Sequence, residues 1–118
     1  VACMEAIMQN HPEGIAVICA NNDDMAMAAA RTAAGNAAYE NTVFLGFDGI
    51  QSACNSILAG EETMSVCQEG YNMGYESVAS VVRALQGETL DEFVDAGASI
   101  VDPDTAQARL EQLQGYLA

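Results

Sequence analysis

Alternation constrains this chain most. Short apolar runs of strand length alternate with helical patterns, and each run stops at a polar residue. Ile15–Ala20 is followed by Asn21-Asn22-Asp23-Asp24, Thr42–Phe47 is closed by Asp48-Gly49, and Thr63–Cys67 leads into Gln68. Between them, apolar spacing predicts helices over Met25–Ala34, ended by Gly35, and Ile50–Ala59, ended by Gly60. The longest helix is expected over Tyr71–Gln86, with Met73, Val78, Val81, Val82 and Leu85 as its buried face and Gly87 as its stop. Apolar strands that alternate with helices specify a parallel sheet covered on both faces, with right-handed crossovers. The expected fold class is therefore α/β: three αβα layers around a parallel sheet of about three strands.

The ends fit less neatly. Val1–Asn10 reads as a helix, with Val1, Met4, Ile7 and Met8 at helical spacing and Pro12 just past its end. It has no residue before it to cap it and no strand before it, so the chain is expected to start inside an element. Phe93–Val101 reads as loosely extended. Asp102-Pro103 is expected to open a last helix, with Asp102 as N-cap and Pro103 at the first position, running to about Gln114. No linker, low-complexity tract or repeat divides the chain.

Composition removes several functions. The 118 residues include 17 acidic side chains and only three basic ones, Arg31, Arg83 and Arg109, for a net charge of −14, and lysine is absent. Nucleic-acid binding needs a cationic footprint, so no nucleic-acid partner is expected. A P-loop and a Schiff-base enzyme each need a lysine, and a phospho-receiver domain normally needs one too. The length fits one small domain, and a hydrophobic fraction of 51% argues against a disordered acidic tail. No run approaches the ~18 apolar residues of a spanning helix. The start, Val1-Ala2-Cys3-Met4-Glu5, lacks the basic region of a signal peptide.

In an open α/β sheet, ligands bind beyond the carboxyl ends of the strands. The residues there are Asn21-Asn22, Asp48 and Gln68. None is a nucleophile, and His11, the one histidine, falls in a turn at the opposite rim. Side-chain amides offer a donor and an acceptor, and a carboxylate accepts from two hydroxyls at once. That set suits a polyhydroxylated ligand and would repel phosphate. No catalytic residue, cofactor or metal is expected.

Three segments carry a family resemblance. Ile18-Cys19-Ala20-Asn21-Asn22-Asp23-Asp24-Met25-Ala26-Met27-Ala28 resembles the strand-to-helix signature of type I periplasmic sugar-binding proteins, the ribose- and galactose-binding kind. Val43-Phe44-Leu45-Gly46-Phe47-Asp48-Gly49 is similar to their next strand. Ile57-Leu58-Ala59-Gly60-Glu61, Ser65-Val66-Cys67-Gln68 and Met73-Gly74 resemble the family's segments beyond that strand. The likeness runs from about residue 1 to Gly87, in order and in register. It implies that Asn22, Asp48 and Gln68 hydrogen-bond a sugar. Asp48 would be the main acceptor, with Asn22 and Gln68 fixing orientation. Ala28 and Gly70 depart from the family's usual Gly and Pro, and Glu69 is an extra carboxylate near the cleft.

The resemblance also implies that residues 1–118 are a partial C-terminal lobe, without the first lobe and without the first two strands of the second. A truncated or proteolysed product is expected. Loss of those strands would expose Ile15–Ala20 as an apolar edge, so the fragment is expected to self-associate there, and a sharp monomer peak in light scattering would count against it.

Plainer readings stand beside these. Asn22 and Asp23 could simply cap a helix, and in the sugar reading Asp23 is the cap, leaving Asn22 free. Asp48-Gly49 alone would be a turn, and Gln68 alone a strand end. The acidic pairs Asp23-Asp24 and Glu61-Glu62 lack the spacing of a calcium loop and are expected to be solvated or capping. Met4, Met8, Met25, Met27 and Met73 read as core filler. Cys19 and Cys67, two strand spacings apart at ~9.6 Å, exceed the ~7 Å reach of a disulfide. With no C-x-x-C spacing for zinc, Cys3, Cys19, Cys54 and Cys67 read as small buried hydrophobes, mostly free.

Two functions remain. One is the substrate-binding component of a sugar ABC transporter, which does no chemistry. It would close two lobes on a monosaccharide and dock on a membrane permease, from the periplasm or a lipid anchor at the cell surface. The alternative is the effector-binding domain of a lactose-repressor-like transcription regulator. Such regulators tend to carry another Asp after Gly-Phe-Asp and a Thr-Thr-Val-x-x-Pro stretch, where this chain has Gly49 and Ser65-Val66-Cys67-Gln68-Glu69-Gly70. That favours the transporter component. An enzyme is disfavoured, since no nucleophile–base pair is present.

Overall fold

The strand-length runs do pair in parallel. A computed structural model describes residues 1–116. The elements in order are α1 (Ala2–Asn10), β1 (Val17–Cys19), α2 (Asp23–Ala33), a 3-10 turn (Ala37–Tyr39), β2 (Val43–Asp48), α3 (Gln51–Leu58), β3 (Met64–Gln68), α4 (Gly70–Leu85), β4 (Ala98–Val101) and α5 (Ala106–Gly115). The sheet order is β1-β2-β3-β4, with β1 and β2 parallel from Val17 beside Val43, and β2 and β3 parallel from Leu45 beside Met64. The fourth strand comes from the stretch read as loosely extended, so the sheet has four strands where about three were expected. β1 stands at one end of the order. It is shorter than its apolar run, but bonds from Val43 N to Ala16 O and from Ala20 N to Leu45 O continue the pairing past both ends.

The chain divides into two compact units. One comprises Val1–Cys67 and the chain from Ile100 onward, and the other is Gln68–Ser99. The first has two apolar cores. Met4, Ala30, Ala33, Tyr39 and Phe44 form one, between α1, α2 and the sheet. Cys54, Ile57, Cys67, Val101 and Ala106 form the other, between the sheet, α3 and α5. Alanines let α2 lie close to β2, the approach that brings its first turn against the sheet.

The second unit is built on α4. Its end follows a Gly stop: Gly87 has φ +84°, and Glu88 N bonds to Arg83 O across it. The periodic apolar stripe is present as expected, but its burial is not. No residue of α4 is buried, and Val78, Val81, Val82 and Leu85 are all exposed. The rest of this unit is mostly irregular chain, which offers the stripe no apolar layer to pack against.

Two further expectations change. The last helix begins at Ala106, because Asp102 Oδ1 is taken by Asp104 N, Thr105 N and Thr105 Oγ1, which wind a turn ahead of the helix. Those bonds, the Thr105 hydroxyl first, hold the Asp102 carboxyl below its ordinary range. Of the cysteines, all four are free thiols, but only Cys54 and Cys67 are buried, while Cys3 and Cys19 are exposed. Met25 and Met73 are likewise exposed, whereas Met4 and Met27 are core. Among the described residues no helix is long and apolar enough to cross a membrane.

Candidate ligand-binding site

Asp48 ends β2 with its backbone at φ +114°, the one positive φ among the described non-glycine residues, and Gly49 comes next at φ +71°. Such a conformation is disfavoured for any residue with a Cβ and persists only where its surroundings hold it. What holds it is Asp23. Its Oδ2 accepts hydrogen bonds from Gly49 N at 2.8 Å and Ile50 N at 3.0 Å, so one buried carboxylate grips both amides after Asp48. Ser65 on β3 adds a second clasp, accepting from Gly49 N and donating a short bond to Asp23 Oδ1. The same amides open α3, whose own residues supply no side-chain cap.

This reverses one expectation. Asn22, not Asp23, caps α2: its Oδ1 accepts from Met25 N at 3.0 Å. The cap uses one of the two lone pairs of Oδ1, so its Nδ2 is the group of Asn22 with most capacity left for a ligand. Asp23 points inward and is fully buried.

Asn22 and Asp48 are both half-buried and belong to the first unit, at the carboxyl ends of the neighbouring strands β1 and β2. Gln68, also half-buried, closes β3 and opens the second unit. Glu69 precedes α4 and accepts from Ser99 Oγ at 2.7 Å. His11 is exposed at the end of α1, as expected. An open cleft of about 820 Å³ lies at the other rim, where Thr42 and Thr63 precede their strands, away from Asp48.

The acidic pairs do not behave as pairs. Asp24 and Glu61 face solvent, and Glu61 bonds Arg31 at 2.9 Å, but Asp23 and Glu62 are both buried. They converge over Gly46, where an added Cβ would overlap Glu62 Oε1 and Asp23 Oδ1. Burial first, then the charge and hydrogen bonding of Asp23, pushes the Glu62 carboxyl up to about 8. The sequence signal for this was Gly46 itself, since a glycine inside a strand marks a close approach. Among the described residues no group of three or more His, Cys, Asp and Glu could hold a metal ion.

The strained acid stands at the carboxyl end of an inner strand, where open α/β sheets bind ligands. The chain belongs to the periplasmic binding protein domain family, whose model matches residues 1–89. No curated protein matches it. Among solved structures it is similar to an ABC transporter solute-binding protein from Mycobacterium smegmatis with bound glycerol, at 30% identity and a TM-score of 0.75 over 91% of this chain. A second M. smegmatis structure, in complex with β-D-fucofuranose, is 25% identical with a TM-score of 0.80 over 98% of this chain. A Bacillus halodurans solute-binding protein with bound myo-inositol, at 23% identity, shares the fold, with a TM-score of 0.79 over 94% of this chain. The chain spans 37% of the first of these structures and 38% of the other two.

Proposed function

We propose that the chain is part of the substrate-binding component of a sugar ABC transporter. The whole protein would work outside the cytoplasm, closing two lobes on a monosaccharide or related cyclic polyol and delivering it to a membrane permease. Residues 1–118 would then be the larger part of its C-terminal lobe. Asp48 accepts from two adjacent hydroxyls, Asn22 donates through Nδ2, and Gln68 takes its role by motif position alone. The observation that carries this reading is the strain at Asp48. A non-glycine residue at φ +114°, clamped by a buried carboxylate at the ligand-facing rim of the sheet, is costly to keep unless its side chain has work there. Family membership supports the same reading, and so do the ligands of the similar structures, which are all polyols.

The test is a thermal-shift panel of D-ribose, D-galactose, L-arabinose, D-fucose and myo-inositol on the full-length protein. A true ligand at about 100 times its Kd adds about 2.7 kcal/mol and raises the melting temperature. Asp48→Ala should abolish that rise. Equal stabilisation of both proteins would reject Asp48 as a ligand.

A further inference from the structure

We propose that Glu62 carries a proton that it donates to Asp23, and that this shared proton fixes the turn presenting Asp48. Glu62 is 1% exposed, and among the described residues neither of its carboxyl oxygens has a hydrogen-bond partner when treated as an acceptor. The two serine hydroxyls around it are already spent. Ser65 Oγ gives its hydrogen to Asp23 Oδ1, and Ser56 Oγ, which accepts from Glu62 N, gives its own to Glu61 Oε2. An ionised Glu62 would be a buried charge with no donor, a state that proteins avoid by keeping the proton. The protonated acid brings a donor of its own, and the acceptor within its reach is Asp23, whose Oδ1 crowds the same space over Gly46.

Among the described residues, no cation is among the groups that act on Glu62. Asp23, from α2, is the charge that acts on Glu62. Arg31, also on α2, is committed to Glu61. From α3 comes the thiol of Cys54, which burial pushes up, and Arg109 of α5 acts on that thiol. Ser65 and Cys67 are the groups from β3, and Cys67 too acts on Cys54. Losing the proton would therefore set two buried carboxylates against each other. Asp23 is the one that holds Gly49 N and Ile50 N, so the strain reaches the Asp48 turn directly. Glu62 is thus a positioning residue acting through Asp23. Its effect on affinity rests on the sugar-site reading of Asp48; the shared proton does not.

Carbon-13 carboxyl and amide NMR on the labelled full-length protein, from about pH 5 to about pH 9.5, tests this. Glu62 should titrate near 8, with the Gly49 and Ile50 amide shifts moving at the same midpoint. In Glu62→Gln, whose amide donates at every pH, those two amides should stop moving. Glu62 titrating in the ordinary carboxylate range would overturn the proposal, as would Gly49 and Ile50 staying still while Glu62 titrates. The wild-type co-titration decides the matter even if the variant does not fold. For a sugar that binds, affinity should fall several-fold across the transition in wild type and stay flat in Glu62→Gln. Co-titration without sugar binding at any pH would support the shared proton and reject the site reading of Asp48.

Discussion

Around Gly46 the protein buries Asp23 and Glu62, while along α4 it leaves Tyr75, Val78, Val82 and Leu85 exposed. The two regions invert the usual sorting of side chains, and for different reasons. At Gly46 the backbone needs the acids: two amides beyond a strained strand end have no helix partner, and a carboxylate satisfies both at once. On α4 the apolar stripe has the right period but no partner layer within its own unit. Polarity alone therefore does not decide burial. What decides it is whether a second surface or a hydrogen-bond accounting demands it.

The largest effect should come from removing the acid that is most buried and most bonded. Asp23→Ala leaves Ile50 N and Ser65 Oγ without their acceptor and Gly49 N with only the longer bond to Ser65 Oγ. In urea denaturation it should cost about 3–5 kcal/mol, while Asp24→Ala, one residue on and exposed, should cost less than about 1 kcal/mol. Similar losses at the two positions would mean that the clasp on the Asp48 turn contributes nothing.

A smaller effect should appear in the pH dependence of stability. Glu62 rises from 4.5 in its ordinary state to about 8 in the folded protein. The unfolded chain therefore releases its proton first. Stability from this group is complete below the ordinary value and is lost as pH rises towards about 8. The slope contributed is at most about 1.4 kcal/mol per pH unit, and it disappears above the folded-state value. Other carboxylates titrate too, so the difference between wild type and Glu62→Gln isolates the term. That difference should be small near about pH 5 and grow steadily to about pH 8, with Glu62→Gln the more stable at the alkaline end, because its amide takes the place of the retained proton and cannot lose it. A difference that does not change with pH would break the account of a proton held on folding.

Much of the fold was legible. Apolar runs of strand length and helical spacing located every α-helix and the strands β1, β2 and β3 to within a few residues, because local apolar patterning follows the backbone period directly. The strand ends that frame Asn22, Asp48 and Gln68 were legible for the same reason. The swap of roles between Asn22 and Asp23 was not. Both are good capping residues, and which one turns inward depends on amides 26 and 27 residues away, at Gly49 and Ile50. Glu62 was hidden likewise: beside Glu61 it reads as solvated, and only the missing Cβ of Gly46 opens a place for it. Asp102 was misread as a cap at the helix itself because Thr105 competes for the same carboxylate and delays the start.

The smallest effect sharpens the contrast from the other side. Val78 and Ile57 are both β-branched residues on helices, at 66% and 2% exposure. Ile57 packs with Cys54, Cys67 and Val101, so Ile57→Ala empties a filled space and should cost about 2–5 kcal/mol. Val78→Thr changes no buried surface and should stay within about 0.5 kcal/mol in this chain. If, as proposed, the chain is part of a longer protein, the comparison becomes informative there. If the stripe is covered there by chain that residues 1–118 lack, Val78→Thr becomes measurably destabilising in that protein while staying neutral here. Neutrality in both would mean that α4 keeps its apolar face open to solvent in the whole molecule, and that its period alone was never a signal of burial.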